Sequence, residues 1–184
     1  MTEEQAAQLQ MLVDREAIRD VVARYCFGTD RCDDAVLWSV YWPEATDNHG
    51  VFSGPVHEYI PFARKIADGT DSMQHFVGSM LIRVTGDTAR TESYFFAYIR
   101  YRAETGPEDK LVAGRYLDEM EKRDGEWRIL RRKVDFDWAR ELEGSADWSQ
   151  GATAMLGAMA GRAPGDHASR MFANDALARP AFES

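Results

Sequence analysis

Long apolar runs, cysteines and excess positive charge are all scarce in this sequence of 184 residues. No apolar run approaches the roughly 20 residues that a helix needs to cross a bilayer, so we expect no contact with a membrane. The first residues, Thr2 to Gln5, lack the positive stretch and apolar core of a secretory signal. The two cysteines, Cys26 and Cys32, are too few for a disulfide framework. We expect them to be buried free thiols, which favours a cytoplasmic location.

Positive charge is in deficit. The 31 Asp and Glu residues outnumber the 22 Lys and Arg residues, and the formal net charge is −9. A protein that binds nucleic acid needs phosphate-neutralising cations clustered on a surface, so this balance argues against nucleic-acid partners. The basic stretch Arg128 to Lys133 is interleaved with apolar residues, which is typical of a strand with one charged face.

The sequence also lacks the usual signatures of metal, phosphate and nucleophile sites. It has no glycine-rich phosphate loop and no Gly-x-Ser-x-Gly elbow. Its histidines do not have the paired spacing that a metal site requires. We therefore predict no metal and no cofactor. The histidines are His49, His57, His75 and His167.

The first half of the chain has the apolar spacing of helices, with repeats every three or four residues. Glycine and proline mark the helix ends, and aspartate provides a helix cap. In chain order, the predicted elements are a helix over Glu3–Phe27 that ends at Gly28, a loop over Thr29–Asp34, a second helix carrying Val36 to Tyr41 that ends at Pro43, a hairpin around Asn48 to Gly50, and a third helix that opens at Gly54-Pro55.

The second half has the two-residue period of strands. Between the last two strands, Asp124-Gly125 is the strongest hairpin signal, because both turn positions must tolerate positive φ. The predicted strands are Met73–Val84, Thr88–Arg102, Leu111–Arg123 and Trp127–Asp137. On the second of them, a mostly small set suited to a cavity wall alternates with a set of aromatic and charged residues suited to a subunit contact. The first set is Ala89, Thr91, Ser93, Phe95 and Ala97, and the second is Arg90, Glu92, Tyr94, Phe96 and Tyr98.

Helices followed by a long meander predict an α+β domain. We expect a cone-shaped α+β barrel over residues 1–138, in which three N-terminal helices pack on one face of a curved antiparallel sheet around a pocket. Beyond Trp138 the pattern weakens. Residues 139–184 are predicted to be a C-terminal extension, either flexible or docked on the oligomer, with one short helix near Thr153 to Ala160.

Proton transfer is the chemistry that the remaining residues favour. A histidine among apolar neighbours can stay neutral near pH 7 and act as a general base, and His75 near the start of a strand suits this role. Its predicted neighbours on the same side are Val77, Ser79 and Leu81. Asp30, in the loop after the first helix, can orient the base and stabilise the imidazolium that forms.

Tyr25 lies in the last turn of the first helix and can supply an acid or an oxyanion donor to the same cavity. Each of the three residues also has a purely structural explanation. A strand histidine is often a core residue, Asp30 can cap the next helix, and Tyr25 can be a core aromatic. Spacing alone does not decide between these roles.

Three stretches between about Leu9 and Trp138 resemble the SnoaL-like branch of the nuclear-transport-factor-2-like superfamily, which contains polyketide cyclases and small dehydratases. The stretches are Ala17 to Asp30, Met73 to Phe76, and the hairpin from Tyr116 to Trp127. The resemblance implies the catalytic roles of Tyr25, Asp30 and His75, because they fall on the catalytic tyrosine, aspartate and histidine of bile-acid dehydratases in this branch. The aspartate and histidine also fall on the catalytic aspartate and histidine of the dehydrochlorinases in this branch. The resemblance further implies that the protein is a homo-oligomer, either a dimer or a trimer.

One departure from that pattern concerns the substrate. The pocket arginine of the bile-acid dehydratases falls here on or near Phe136, which argues against a steroid acid. Arg132 can reach the pocket instead, although an outward-facing charge is the alternative for it. The candidate substrate-binding residues are Trp42, His49, Phe95 and Arg132.

The leading hypothesis is a cofactor-independent lyase or isomerase, dehydratase-like, that acts on a small hydrophobic organic molecule by Asp–His general-base proton abstraction. Two alternatives stay open. One is a non-catalytic ligand-binding or assembly module with the same fold. The other is a polyketide cyclase or an enzyme like ketosteroid isomerase, with an acidic base elsewhere in the cone, such as Asp47.

Overall fold

A computed structural model describes residues 1–143, 146–155 and 161–172. The helices are α1 (Glu3–Arg31), α2 (Asp34–Ser39), α3 (Val56–Asp68), α4 (Gly151–Ala154) and α5 (His167–Met171). The strands are β1 (Tyr41–Asn48), β2 (Ser53–Pro55), β3 (Thr70–Thr85), β4 (Thr88–Tyr101), β5 (Glu108–Arg123) and β6 (Glu126–Leu142).

The six strands form one open, curved sheet in the order β2-β1-β6-β5-β4-β3. The predicted α+β class and the packing of the N-terminal helices on a curved sheet are confirmed. The sheet is not a closed barrel, however, and it is mixed because β1 pairs with β6 in parallel. In the chain, α3 connects β2 to β3, and these two strands run in the same direction. Three hairpin connections follow, and each reverses the chain. As a result, β6 runs in the same direction as β1 and pairs with it in parallel.

The first helix is longer than predicted, and this moves Asp30 out of a loop. Gly28 does not end α1 but lies buried within it, and a Cβ there would come within 3.0 Å of the backbone nitrogen of Leu37. Glycine is therefore needed for the close approach of α2. The left-handed residue that ends α1 is Cys32, at φ 55°. Asp30 consequently projects from the last turn of a rigid helix.

The second helix is shorter than predicted. It is capped by the Asp33 carboxylate, which accepts the backbone N–H of Val36, but it ends at Ser39 rather than at Pro43. Tyr41 and Pro43 belong to β1 because the backbone from Val40 onward pairs with β6. This pairing points the Tyr41 ring into the core, where it is 1% exposed.

Strand β3 carries an irregularity that reverses its faces. The register with β4 shifts between Val77 and Met80. Ser79 and Leu81, predicted to share the side of His75, are exposed, whereas Met80 and Ile82 pack against the core. The alternation predicted for β4 is confirmed, because its small set lies on the buried face. The Asp124-Gly125 turn is also confirmed, with φ of 50° and 84°.

The outer face of the sheet exposes aromatic side chains, as the alternation of β4 predicts. Phe76, Tyr94 and Phe96 are each between 45% and 57% exposed, and the rings of Phe76 and Phe96 lie 5.3 Å apart. The homo-oligomer stays a prediction. Within the described ranges, no helix combines the length and apolarity needed to span a membrane.

The C-terminal extension contacts the domain in its described parts. The Ala163 N–H donates to the carbonyl of Arg31, at the end of α1, and Arg31 pairs with Asp166. The Arg162 guanidinium donates to the carbonyl of Thr70 at the start of β3. The division at residue 138 stays a prediction, although β6 continues to Leu142. Of the predicted helix near Thr153 to Ala160, only the turn at Gly151–Ala154 is seen, and residues 156–160 lie outside the described residues.

The N-terminal half of α1 is more exposed than its apolar pattern predicts: Leu9, Leu12 and Val13 are all over half exposed. The helix becomes buried at Asp14, whose carboxylate accepts the indole N–H of Trp127 and the ammonium of Lys122, both at 2.9 Å. Burial raises the pKa of Asp14, but these donors and Gln10 outweigh it and lower the pKa below 3.8. Asp14 therefore ties α1 to the β5–β6 hairpin.

We expect Asp14→Asn to lower the free energy of unfolding at pH 7 by about 1–3 kcal/mol, because it removes the charge from a buried acceptor. The pKa of Asp14 is lower in the folded state than its ordinary value of 3.8. The ionised carboxylate therefore stabilises the fold at pH values above 3.8, and this contribution is lost as the pH falls through the folded-state pKa. Urea unfolding should therefore show the difference shrinking between pH 7 and pH 3. Asp20→Asn, on an exposed position of α1, is the control. A difference independent of pH would contradict the assignment.

Candidate active site

Asp30 and His75 meet where the end of α1 crosses β3. The ring Nδ1 of His75 lies 2.5 Å from Oδ1 of Asp30. The backbone N–H of His75 also donates to the same carboxylate, at 2.9 Å and 3.2 Å from its two oxygens. The side chains of His75 and Asp30 are only 9% and 12% exposed. One carboxylate therefore fixes both the backbone and the ring of the histidine.

This geometry assigns the proton on the His75 ring. An ionised carboxylate only accepts hydrogen bonds, so in the neutral ring the hydrogen lies on Nδ1 and the lone pair on Nε2. Nε2 has no hydrogen-bond partner among the described residues. A largely shielded, oriented imidazole with a free Nε2 and a carboxylate behind it has the arrangement of a general base.

Tyr25 lies deeper, and its hydroxyl does not bond to either member of this pair. It shares a 2.9 Å hydrogen bond with the hydroxyl of Tyr59. Burial raises the pKa of Tyr25 well above its ordinary value, and the hydroxyl therefore keeps its proton. The structure thus places Tyr25 in the wall behind the site, as a hydrogen-bonding group.

Arg132 is buried, so its predicted alternative of an outward-facing charge is wrong. It makes two 2.7 Å hydrogen bonds to the carboxylate of Asp118, across β5 and β6, and both side chains are 0% exposed. Its guanidinium lies 4.0 Å from the ring centre of Tyr25 and 4.3 Å from that of Tyr116. Burial lowers the pKa of Arg132, but the Asp118 charge outweighs it and raises the pKa.

Three residues of this interior were missed in the sequence: Tyr59, Tyr116 and Asp118. A signal for two of them was available, because Tyr116, Asp118 and Met120 alternate along β5 on one buried face. An acidic residue in the middle of such a face indicates a buried partner of opposite charge. Tyr59 gave no comparable signal, because its role depends on how α3 packs on β1.

Aromatic rings form the wall beside His75. The ring centre of Phe95 lies 6.4 Å from that of His75. Phe95 also stacks on Tyr116, with ring centres 4.3 Å apart, and meets Phe136 edge-on, with ring centres 6.3 Å apart. The structure therefore brings the predicted residue Phe95 next to the pair. Phe136, where the resemblance placed an arginine in related enzymes, is half exposed and stands at the end of this wall.

His49 also joins this wall. It follows β1, stacks on Tyr59 at 5.1 Å, and lies 6.1 Å from Phe136. Its Nδ1 lies 3.0 Å from Asp47, which is buried and also accepts the hydroxyl of Tyr41 at 2.8 Å.

Trp42 is not brought to this site. Its indole N–H donates to the carbonyl of Glu121, and its ring lies under the guanidinium groups of Arg123 and Arg128, 4.6 Å and 4.8 Å away. Its neighbour Tyr41 is fully buried in the core, whereas Trp42 is only partly buried and packs at the margin of the core cluster. The prediction that Trp42 binds substrate is not supported by its position.

Cys26 lies one turn before Asp30 and contacts the same interior. Burial, reinforced by the charge of Asp30, raises the pKa of its thiol to about 12. The thiol therefore stays protonated at neutral pH and is a poor nucleophile. Among the described residues, no group of three or more His, Cys, Asp or Glu side chains is placed to hold a metal ion.

Comparisons with known proteins agree on the fold. The profile of the SnoaL-like domain matches residues 10–133. The hexachlorocyclohexane dehydrochlorinase LinA-type3 from Novosphingobium barchaimii has a TM-score of 0.68 at 20% identity, and the match covers 75% of this chain and 96% of that one. A protein assigned as a scytalone dehydratase, from Novosphingobium aromaticivorans, has a TM-score of 0.65 at 22% identity, covering 73% and 91%. No curated protein matches the sequence.

We expect Asp118→Asn to lower the free energy of unfolding by about 3–5 kcal/mol, because it leaves the Arg132 guanidinium buried without its counter-charge. The matched control is Asp137→Asn. Its carboxylate also pairs with an arginine, Arg115, across β5 and β6, but both side chains are about one-third exposed. An exposed pair contributes about 1 kcal/mol or less. Urea unfolding measures both changes, and equal losses would contradict the difference in burial.

Proposed function

This chain belongs to the SnoaL-like domain family, and from that premise we propose that it is a cofactor-independent lyase or isomerase of the dehydratase type. The proposed substrate is a small hydrophobic organic molecule. The observation that carries the proposal is the Asp30–His75 contact, in which a sheltered carboxylate holds the imidazole with Nε2 free.

In the proposed reaction, Nε2 of His75 removes a proton from a carbon next to an activating group. Asp30 stabilises the imidazolium through the Nδ1 hydrogen bond, without taking the proton itself. The electrons of the broken C–H bond then form a double bond and expel a leaving group on the adjacent carbon. The names of the two structural neighbours, a dehydrochlorinase and a dehydratase, describe eliminations of hydrogen chloride and of water, and this motivates the same reaction class here.

The walls of the site support an apolar substrate with an oxygen function. Phe95, Phe136 and Tyr116 offer ring faces and edges to an apolar body. Nη1 of Arg132 and the hydroxyl of Tyr116 are buried without a hydrogen-bond partner among the described residues. Buried donors are normally satisfied, so we expect water or a substrate oxygen to pair with them.

The alternative of an acidic base at Asp47 is less well supported. Asp47 is 1% exposed, and its two oxygens are engaged by Tyr41 and His49. A carboxylate committed to two donors in this way is placed to orient a neighbour rather than to meet a carbon acid. A non-catalytic binding module would require no oriented imidazole, and the three hydrogen bonds to Asp30 therefore favour the enzyme.

The proposal is tested with 5-nitrobenzisoxazole, a general probe in which removal of one C–H proton breaks the N–O bond and releases a coloured phenolate. We expect His75→Ala to lower kcat/KM by about 10²–10⁴-fold, the usual contribution of a general base. His57→Ala, which changes an exposed histidine on α3, is the matched control and should leave the rate unchanged.

Circular dichroism and urea unfolding would show that both variants keep the fold. Turnover of the probe by the unaltered chain that is no faster than with free imidazole at equal concentration would contradict the proposal. Equal rates for His75→Ala and the unaltered chain would contradict it as well.

A further inference from the structure

A second aspartate–histidine pair borders the same interior. We infer that Asp47 and His49 form a second proton-transfer pair, in which His49 protonates the leaving group while His75 removes the proton from carbon. This inference rests on the proposed function and adds to it a general acid. It also points to substrates with a poor leaving group, such as a hydroxyl, which need that acid.

The Asp47–His49 geometry is built in the same way as the Asp30–His75 geometry. The Asp47 carboxylate is 1% exposed and uses one oxygen for the Tyr41 hydroxyl, at 2.8 Å, and the other for Nδ1 of His49, at 3.0 Å. The carboxylate and the Tyr41 hydroxyl are held by β1, because Asp47 lies on that strand and Tyr41 starts it. The His49 ring is therefore oriented with Nδ1 toward the carboxylate and Nε2 directed away from it. Nε2 has no hydrogen-bond partner among the described residues.

The two histidines share one aromatic wall. Neighbouring rings link the two histidines. The ring centres of His49 and Phe136 lie 6.1 Å apart, those of Phe136 and Phe95 6.3 Å apart, and those of Phe95 and His75 6.4 Å apart. Tyr116 touches both sides, since it lies 6.5 Å from His49 and stacks on Phe95. In the sheet, His49 follows β1 near one edge, and His75 lies on β3 at the other edge. A small molecule lying against these rings would thus be bordered by both imidazoles.

The tyrosines nearby are less suited to donate the proton. Tyr25 and Tyr59 hydrogen-bond to each other, and burial raises the pKa of both hydroxyls. A protonated imidazole is a far better acid near pH 7. His49 stacks on the Tyr59 ring, and its side chain is 21% exposed, so solvent can reach the ring between turnovers.

The proposed step balances without a further reactant. The C–H bond breaks and its proton moves to Nε2 of His75, while its electron pair forms the C=C bond. The C–O bond on the adjacent carbon breaks, and the oxygen takes a proton from Nε2 of protonated His49 and leaves as water. Afterwards His75 is protonated and His49 is neutral. Loss of one proton to solvent and uptake of another restore both rings.

Two probes that differ only in their leaving group separate the two roles. They are 3-hydroxy-1-phenylpropan-1-one, which must expel hydroxide or water, and its 4-nitrophenyl ether, which expels a stable phenolate. A general acid helps the first compound far more than the second. We expect His49→Gln to lower kcat/KM for the hydroxy ketone by about 10²–10⁴-fold, and to lower it much less for the ether.

Further variants complete the test. His75→Ala should slow both compounds, because both must lose the same C–H proton, and the exposed control His57→Ala should slow neither. Asp47→Asn, which alters a positioning residue, should shift the ratio of the two rates in the same direction as His49→Gln.

The outcomes distinguish the inference from the proposed function. If His49→Gln slows both ketones by the same factor while His75→Ala abolishes both, His49 only shapes the pocket and the inference is overturned. If the His75→Ala variant turns over both compounds as fast as the unaltered chain does, the proposed function fails instead. Loss of the hydroxy ketone reaction alone in His49→Gln, with the folded state confirmed by urea unfolding, supports the second pair.

Discussion

The contact between the Asp30 carboxylate and His75 holds the candidate active site together. It is not an isolated side-chain pair, because the same carboxylate accepts the backbone N–H of His75 and so fastens the last turn of α1 to β3. Gly28 allows α2 to pack against that turn, and Cys32 ends the helix in the left-handed conformation. The Ala163 N–H adds a bond to the carbonyl of Arg31. The position of the imidazole is thus set by helix packing rather than by a loop.

The interior behind this contact contains several buried polar groups. Four tyrosines, Tyr25, Tyr41, Tyr59 and Tyr116, are almost completely buried around the Arg132–Asp118 pair. Replacing such a pair with apolar residues is often neutral or stabilising, so the pair is weak support for stability. Departures of this kind from an apolar core are typical of functional sites, where oriented donors and charges are kept in place by their neighbours. We interpret the cluster as the rigid support of the reacting groups.

Much of the fold could be predicted from the sequence because it depends on local patterns. The alternation on β4 and the Asp124-Gly125 turn identified the meander, and the three- and four-residue spacing identified α1. The errors arose where tertiary contacts override local signals. Gly28 has the signal of a helix end but serves close packing with α2, and the parallel pairing of β1 with β6 depends on where α3 returns the chain. The register shift in β3 moved Ser79 and Leu81 to the outer face. The two-residue period of a strand, on which the prediction relied, does not reveal such a shift.

The candidate site was predictable in part for the same reason. Spacing and resemblance pointed to Tyr25, Asp30 and His75, but the partners of Tyr25 and of Arg132 come from α3 and β5 and have no fixed spacing to them. The proposed chemistry depends above all on the orientation of the His75 ring. Two-bond ¹H–¹⁵N correlation spectroscopy on the labelled full chain reports it directly, because protonated and unprotonated ring nitrogens differ in shift. We expect neutral His75 to carry its hydrogen on Nδ1 and none on Nε2. A hydrogen on Nε2 would contradict it.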